Sequence, residues 1–329
     1  MSRTMAGRCK RLRFEVLQRR EMLDGNVTAV LKHGELIIRG DDKANEVAVF
    51  QLDTTFTDAD GSHSKGDYVV LGGTGGATGA AATSSTTVNG KPYQIFPASQ
   101  IRRGAVHDLV LKMAGGDDAV GLGDLNALKA STNSAAAVQD LLGALVSGMV
   151  PAGVLTIRDG LKVRGGTGND AIGLQGVNAR HAEIDTGSAS GEEQVGVFGG
   201  SVGKELSIHT GTGSDAVTVS GVASPARRVR ISTGDGNDTV RLSNNSDLAR
   251  NVRISTGEGN DTVDVASTTI DRELAVNLGA GNDTFDALSG NNVVKRRTRV
   301  DGGGGTNTFS VPAPDTNQWG RLSQRHFPT

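Results

Sequence analysis

The sequence predicts an all-β chain: a right-handed parallel β-helix of coils about 23 residues long, with a short N-terminal helix and one helical excursion. Three observations carry this prediction. Gly supplies 47 of 329 residues, about twice the usual ~7%. It follows no strict G-x-y period, which excludes a collagen triple helix, and so much Gly penalises helices by roughly 0.5–1 kcal/mol per interior position. A repeat is plain from Leu206 onward: LSIHTGTGSDAVTV, then VRISTGDGNDTVRL from Val229, VRISTGEGNDTVDV from Val252 and LAVNLGAGNDTFDA from Leu274, with a degenerate copy from Arg299. Within each copy apolar residues alternate with polar ones, as in Val229/Ile231 and Val240/Leu242. A period of two means short strands buried on one face. A single copy cannot bury its apolar face, so copies must stack; an antiparallel sandwich would not keep so uniform a period.

The elements follow in order. Residues 1–25 form a basic N-terminal segment, within which Arg13 to Leu23 reads as a short amphipathic helix able to cap the first rung. Residues 26–312 form the β-helix. Leu36 and Leu109 open its first recognisable copies, and Gly72 to Thr87, almost all Gly, Ala, Ser and Thr, reads as a flexible loop. Residues 124–149 interrupt the period, and Val138, Leu141, Leu142 and Leu145 at helical spacing mark an inserted helix. Leu161 and Ala182 open two further copies before the regular run. Each copy reads as strand, turn, strand, and a further turn carrying an apolar residue such as Leu248 or Ile270. Residues 313–329 lack periodicity and read as an irregular tail. Eight to ten coils are expected, roughly 40–50 Å in all at ~4.8 Å per rung.

Composition excludes several function classes. The first 21 residues hold seven basic and two acidic groups, leaving 27 basic and 34 acidic residues elsewhere, a poor match for nucleic acid. Cys9 is the only cysteine, so neither an intrachain disulfide nor a cysteine zinc site can form. The most apolar stretch, Ala135 to Val150, is too short to span a membrane. The six histidines are scattered with no pair at ligand spacing, and no G-x-S-x-G, P-loop or H-E-x-x-H string occurs. Parallel β-helices also host polysaccharide lyases and hydrolases. The chain has outward basic positions at Arg230, Arg253, Lys295, Arg296, Arg297 and Arg299, but aromatic platforms for sugars are few. That enzymatic reading is the alternative to a non-catalytic one.

The turn between the strands, T-G-x-G-N-D, supplies glycines for positive φ and Asn/Asp for local side-chain bonds. It resembles the Gly/Asp-rich repeat of RTX (hemolysin-type) calcium-binding proteins. The resemblance implies calcium ligation by Asp170, Asp215, Asp238, Asp261 and Asp283. Stacked carboxylates repel, and a hard cation would relieve the repulsion. RTX repeats recur every nine residues, whereas here only one corner per coil carries the motif. The competing reading needs no metal: Asn169, Asn237, Asn260 and Asn282 stack as an asparagine ladder and the Asp residues cap turns. Asp264 and Asp286 occupy outward positions, where Arg241 suits a cross-strand salt bridge with Asp264. The segment Phe14 to Leu23 resembles the LEPR-XLL type that precedes large bacterial surface proteins, which implies export without a standard secretory signal. Together these predict a non-catalytic extracellular or cell-surface repeat protein of scaffold or adhesion type. Its partner would be a surface polysaccharide or protein; a cytoplasmic location is the alternative.

Overall fold

The structure, a computed structural model, describes residues 25–75, 84–130, 151–187, 191–311 and 318–328. It is a parallel β-solenoid with about seven regular turns of ~23 residues, preceded by two rungs with longer connections. One sheet stacks Glu35–Arg39, Asp108–Lys112, Gly160–Gly166, Val177–Gly187, Ser201–His209, Ala223–Ser232, Asp247–Glu258, Thr269–Ala280, Val293–Asp301 and Gln318–Arg325. The other stacks Glu46–Gln51, Ala119–Gly123, Ala171–Gln175, Gln194–Phe198, Ala216–Ser220, Thr239–Ser243, Thr262–Ala266, Thr284–Asp286 and Thr308–Ser310.

Register follows the sequence alternation. Leu36, Leu109, Leu161, Ala182, Leu206, Val229, Val252 and Leu274 lie one above another, as do Ile38, Leu111, Val163, Ile184, Ile208, Ile231, Ile254 and Val276. Facing them, Val120, Ile172, Val195, Val217, Val240, Val263 and Phe285 form a matching column. All are buried in one continuous core. Each such side chain contributes about 1.5–3 kcal/mol on full burial, and a one-residue slip would turn every one of them outward.

Of the segment expected as a further turn, Asn244 to Ser246 does turn, with Asn244 at φ +54°, and the rest is strand. Asp247–Glu258 and Thr269–Ala280 run twelve residues each, and their registers shift at Ala249/Asn251. Such a bulge bends the strand around the coil, so Leu248 and Ile270 reach the core, both fully buried. Of the excursion, Leu125–Ala130 is α-helical and packs beside the second sheet through buried Leu125; Val138, Leu141, Leu142 and Leu145 lie outside the described residues, as does Arg13 to Leu23. The ends of the expected flexible loop pair with each other, Thr74–Gly75 against Ser84–Ser85.

Both ends of the stack are finished differently from its middle. At the N-terminal end antiparallel strands replace parallel ones: Asn26–Lys32 pairs with Glu35–Arg39, and Tyr68–Gly72 lies between Glu46–Gln51 and Tyr93–Phe96. At the other end Gln318–Arg325, within the stretch expected to be an irregular tail, adds a last parallel strand on Val293–Asp301. Its pattern is almost wholly exposed because no described residue stacks beyond it, which is why no alternation marks it. Aromatic rings gather here: Phe285 stacks on Phe309 at 5.3 Å between centroids, Trp319 meets Phe285 at 6.4 Å, and Phe327 meets Phe309 at 5.1 Å. An uncovered strand edge recruits other chains. Truncation after Val311 is therefore expected to exchange the largely polar edge of Gln318–Arg325 for that of Val293–Asp301, to uncover Phe285 and Phe309, and to cause concentration-dependent self-association. Sedimentation showing a truncated monomer with an unchanged melting temperature would contradict this role.

Candidate functional site: the carboxylate corner

The corner between the two sheets is built from two glycines and an Asn–Asp pair. The glycine requirement is sharpest in the stack of Gly234, Gly257 and Gly279. Gly257 has φ +111°, and a Cβ there would lie 1.9 Å from the carbonyl oxygen of Gly234 one rung below. Only a residue without Cβ lets successive corners approach this closely.

The five predicted aspartates all sit at this corner, and the structure places them inside it. Asp170, Asp215, Asp238, Asp261 and Asp283 are only 1–2% exposed. None uses its Oδ1 to cap its own turn. Each Oδ1 instead accepts the backbone N–H of the equivalent residue in the preceding rung: Asp215 N–H to Asp238 Oδ1 at 2.9 Å, Asp238 to Asp261 at 2.8 Å, Asp261 to Asp283 at 3.0 Å. Two residues absent from the predicted set complete the column. Asp118 donates its N–H to Asp170 Oδ1 at 3.0 Å, and Glu193 bridges Asp170 and Asp215. Amides close both ends: Asn45 donates to Asp118 Oδ1, and Asn307 accepts from Asp283 N–H at 2.8 Å. Asp118 was visible in the copy LVLKMAGGDDAVGL. Glu193 was not, because its copy reads G-S-A-S-G-E-E in place of G-x-G-N-D.

The asparagine ladder coexists with the carboxylates and runs the opposite way. Asn237 Oδ1 accepts the N–H of Asn260 in the next rung at 2.8 Å, Asn260 that of Asn282 at 2.7 Å, and Asn282 that of Thr306 at 2.8 Å. Asn169 likewise takes the N–H of Glu192 at 2.8 Å. On the second sheet Arg241 pairs with Asp264 at 3.0 Å, the expected cross-strand salt bridge.

The electrostatics of the buried column are unusual. Hydrogen bonding occupies one oxygen of each carboxylate, while Oδ2 of Asp118, Asp170, Asp238, Asp261 and Asp283 is buried with no hydrogen-bond partner. Asp215 differs, since Thr210 Oγ1 donates to its Oδ2 at 2.6 Å. Burial raises the acids of this column: Asp118 and Glu193 to about 8, Asp170 and Asp238 to about 6, and Asp215, Asp261 and Asp283 upward as well. Threonine hydroxyls at Asp215, Asp238 and Asp261, and neighbouring N–H bonds throughout, pull the other way without cancelling the effect. An oxygen-only donor set with orphaned carboxylate oxygens at rung spacing fits a hard cation, and it equally fits protons on alternate acids.

Comparison with known protein families, with curated proteins and with solved structures gives no match for the chain. Among the described residues, no helix is long and apolar enough to cross a membrane.

Proposed function

We propose that this chain is a non-catalytic repeat scaffold of extracellular or cell-surface type, whose stacked G-x-G-N-D corners take up calcium. The single observation that carries the reading is the column of buried carboxylates in which Asp118, Asp170, Asp238, Asp261 and Asp283 each keep one unpartnered oxygen. Left anionic, these groups oppose folding; calcium would convert the least stable line of the solenoid into its spine, with Asp170, Asp215, Asp238, Asp261 and Asp283 as ligands. The adhesive surface would be the outer face of the first sheet. There Arg228, Arg230, Arg253 and Arg299 line a recess of about 290 Å³ together with Glu273. Glu205 beside it is tied up by Arg230 at 2.7 Å and Arg228 at 3.7 Å, and the surplus of arginines favours binding of an acidic surface polysaccharide over its cleavage.

The test is thermal melting of the full chain at pH 7.5 with calcium or chelator. A cation bound only by the native state at a hundred times its Kd stabilises by about 2.7 kcal/mol, so melting should rise by roughly 3–5 °C and chelator should reverse it. Asp238→Asn with Asp261→Asn should remove most of that response. An unchanged melting temperature at millimolar calcium would overturn the calcium reading and leave a proton-satisfied ladder.

A further inference from the structure

The other end of the first strand carries a second cluster, built from residues that look unrelated in sequence. His107 Nδ1 lies 2.7 Å from Asp108 Oδ2. One rung on, Asp159 docks there by donating its N–H to the His107 carbonyl at 2.8 Å. Donor atoms of His107, Asp108 and Asp159 all fall within 4.8 Å of one another. The next rung adds His181, whose Nδ1 lies 3.3 Å from Asp159 Oδ1. The apparent scatter of the histidines is thus resolved by stacking, since Asp108, Gly160 and His181 share one register column.

Several features hold these groups ready for a ligand. The Gly160 N–H donates to Asp108 Oδ1 at 2.8 Å and fixes that carboxylate from behind. Gly160 also leaves the space open, for a Cβ there would stand 2.7 Å from the same oxygen. Asp159 is only half-buried, and its Oδ1 has His181 as a neighbour at 3.3 Å but makes no hydrogen bond of good geometry. Its carbonyl accepts both the Arg180 and His181 N–H groups at 2.9 Å, which sets the chain direction here.

From this geometry we infer that His107, Asp108 and Asp159 bind one divalent transition-metal ion of the zinc class, with His181 positioning Asp159. The mixed nitrogen and oxygen donors set the class. So does the surrounding charge: His107 also lines a recess of about 300 Å³ with His33, Arg102, Arg103 and Arg158. Those arginines oppose a hard cation held by charge alone, whereas zinc gains from coordination to imidazole. The metal would tie together the two rungs that flank the inserted segment, closing a loop of about fifty residues.

The experiment uses the full chain, stripped with chelator, titrated with zinc chloride by calorimetry and read by metal analysis after dialysis. Cobalt serves as a visible-absorption probe. One zinc per chain is expected. Affinity should fall at least tenfold in His107→Ala and in Asp159→Asn, and by 10- to 100-fold in His181→Ala if it acts by positioning. Circular dichroism confirms that each variant is folded. Asp261→Asn and excess calcium should leave zinc binding unchanged, which separates this site from the carboxylate corner. Failure to retain zinc, equal binding by His107→Ala, or displacement by calcium would each overturn the assignment.

Discussion

Acidification is expected to stabilise this protein: in the presence of chelator, its melting temperature should be higher at pH 5 than at pH 8, by roughly 5–10 °C. The sign follows from the buried column. Asp118 and Glu193 are raised to about 8, and Asp170 and Asp238 to about 6, above their usual values near 4. Between the ordinary and the raised value the native state binds more protons than the unfolded chain. The resulting stabilisation is complete below pH ~4 and is lost as pH climbs through about 6 to 8. Other acids act oppositely at the low end. Asp58, held by Tyr93 and His63, is lowered to about 2, so its contribution fades only in stronger acid. An optimum near pH 5 results. The column also says which change removes the effect. Asn45 and Asn307 already serve in it as amides. Asp118→Asn should therefore raise stability at pH 8, and with Glu193→Gln should flatten the profile. A flat or rising melting temperature from pH 5 to 8 in the unmodified protein would sink this account.

Replacing a corner glycine should have the largest effect of any single-atom addition to the chain. Gly257→Ala is expected to cost about 3–5 kcal/mol, combining backbone strain with a steric conflict. The conflict is with the Gly234 carbonyl, 1.9 Å from the added Cβ, and backbone cannot move aside without parting two rungs. Gly61→Ala is the matched control. It also has positive φ, +132°, but a Cβ there meets nothing within 4 Å. Its cost should stay at roughly 1–3 kcal/mol, the conformational part alone. Chemical denaturation compares the two directly, and equal losses would show that stacking contributes nothing to the glycine requirement.

Much of the fold was legible because its physics is local and repeated. Alternation at Val229/Ile231 and Val240/Leu242 fixed the buried face, and the recurring T-G-x-G-N-D fixed the corner. The bulged continuation through Leu248 was not legible, since a strand that bends loses its period of two. Gln318–Arg325 escaped notice for a related reason: a terminal rung has one side with nothing to bury. At the corner, the motif revealed five aspartates but not their inward direction, which depends on N–H groups offered by the neighbouring rung. Glu193 fills the same place with one more methylene in a copy too degenerate to align. The His107–Asp159–His181 grouping was hidden more deeply still. Its members are neighbours only after the inserted segment has been looped out, and nothing in their spacing announces that.

The placement of the rings at the C-terminal end has a consequence for how unfolding is observed. Trp319 is the chain's only tryptophan and belongs to the last rung. A stack in which each rung touches only its neighbours frays from its ends, and terminal units open at lower free energy than central ones. Intrinsic fluorescence is thus a local thermometer for one end of the molecule, whereas circular dichroism averages over every rung. The two signals need not coincide, and the gap between them measures how far an opening at Trp319 spreads along the solenoid before the whole stack yields.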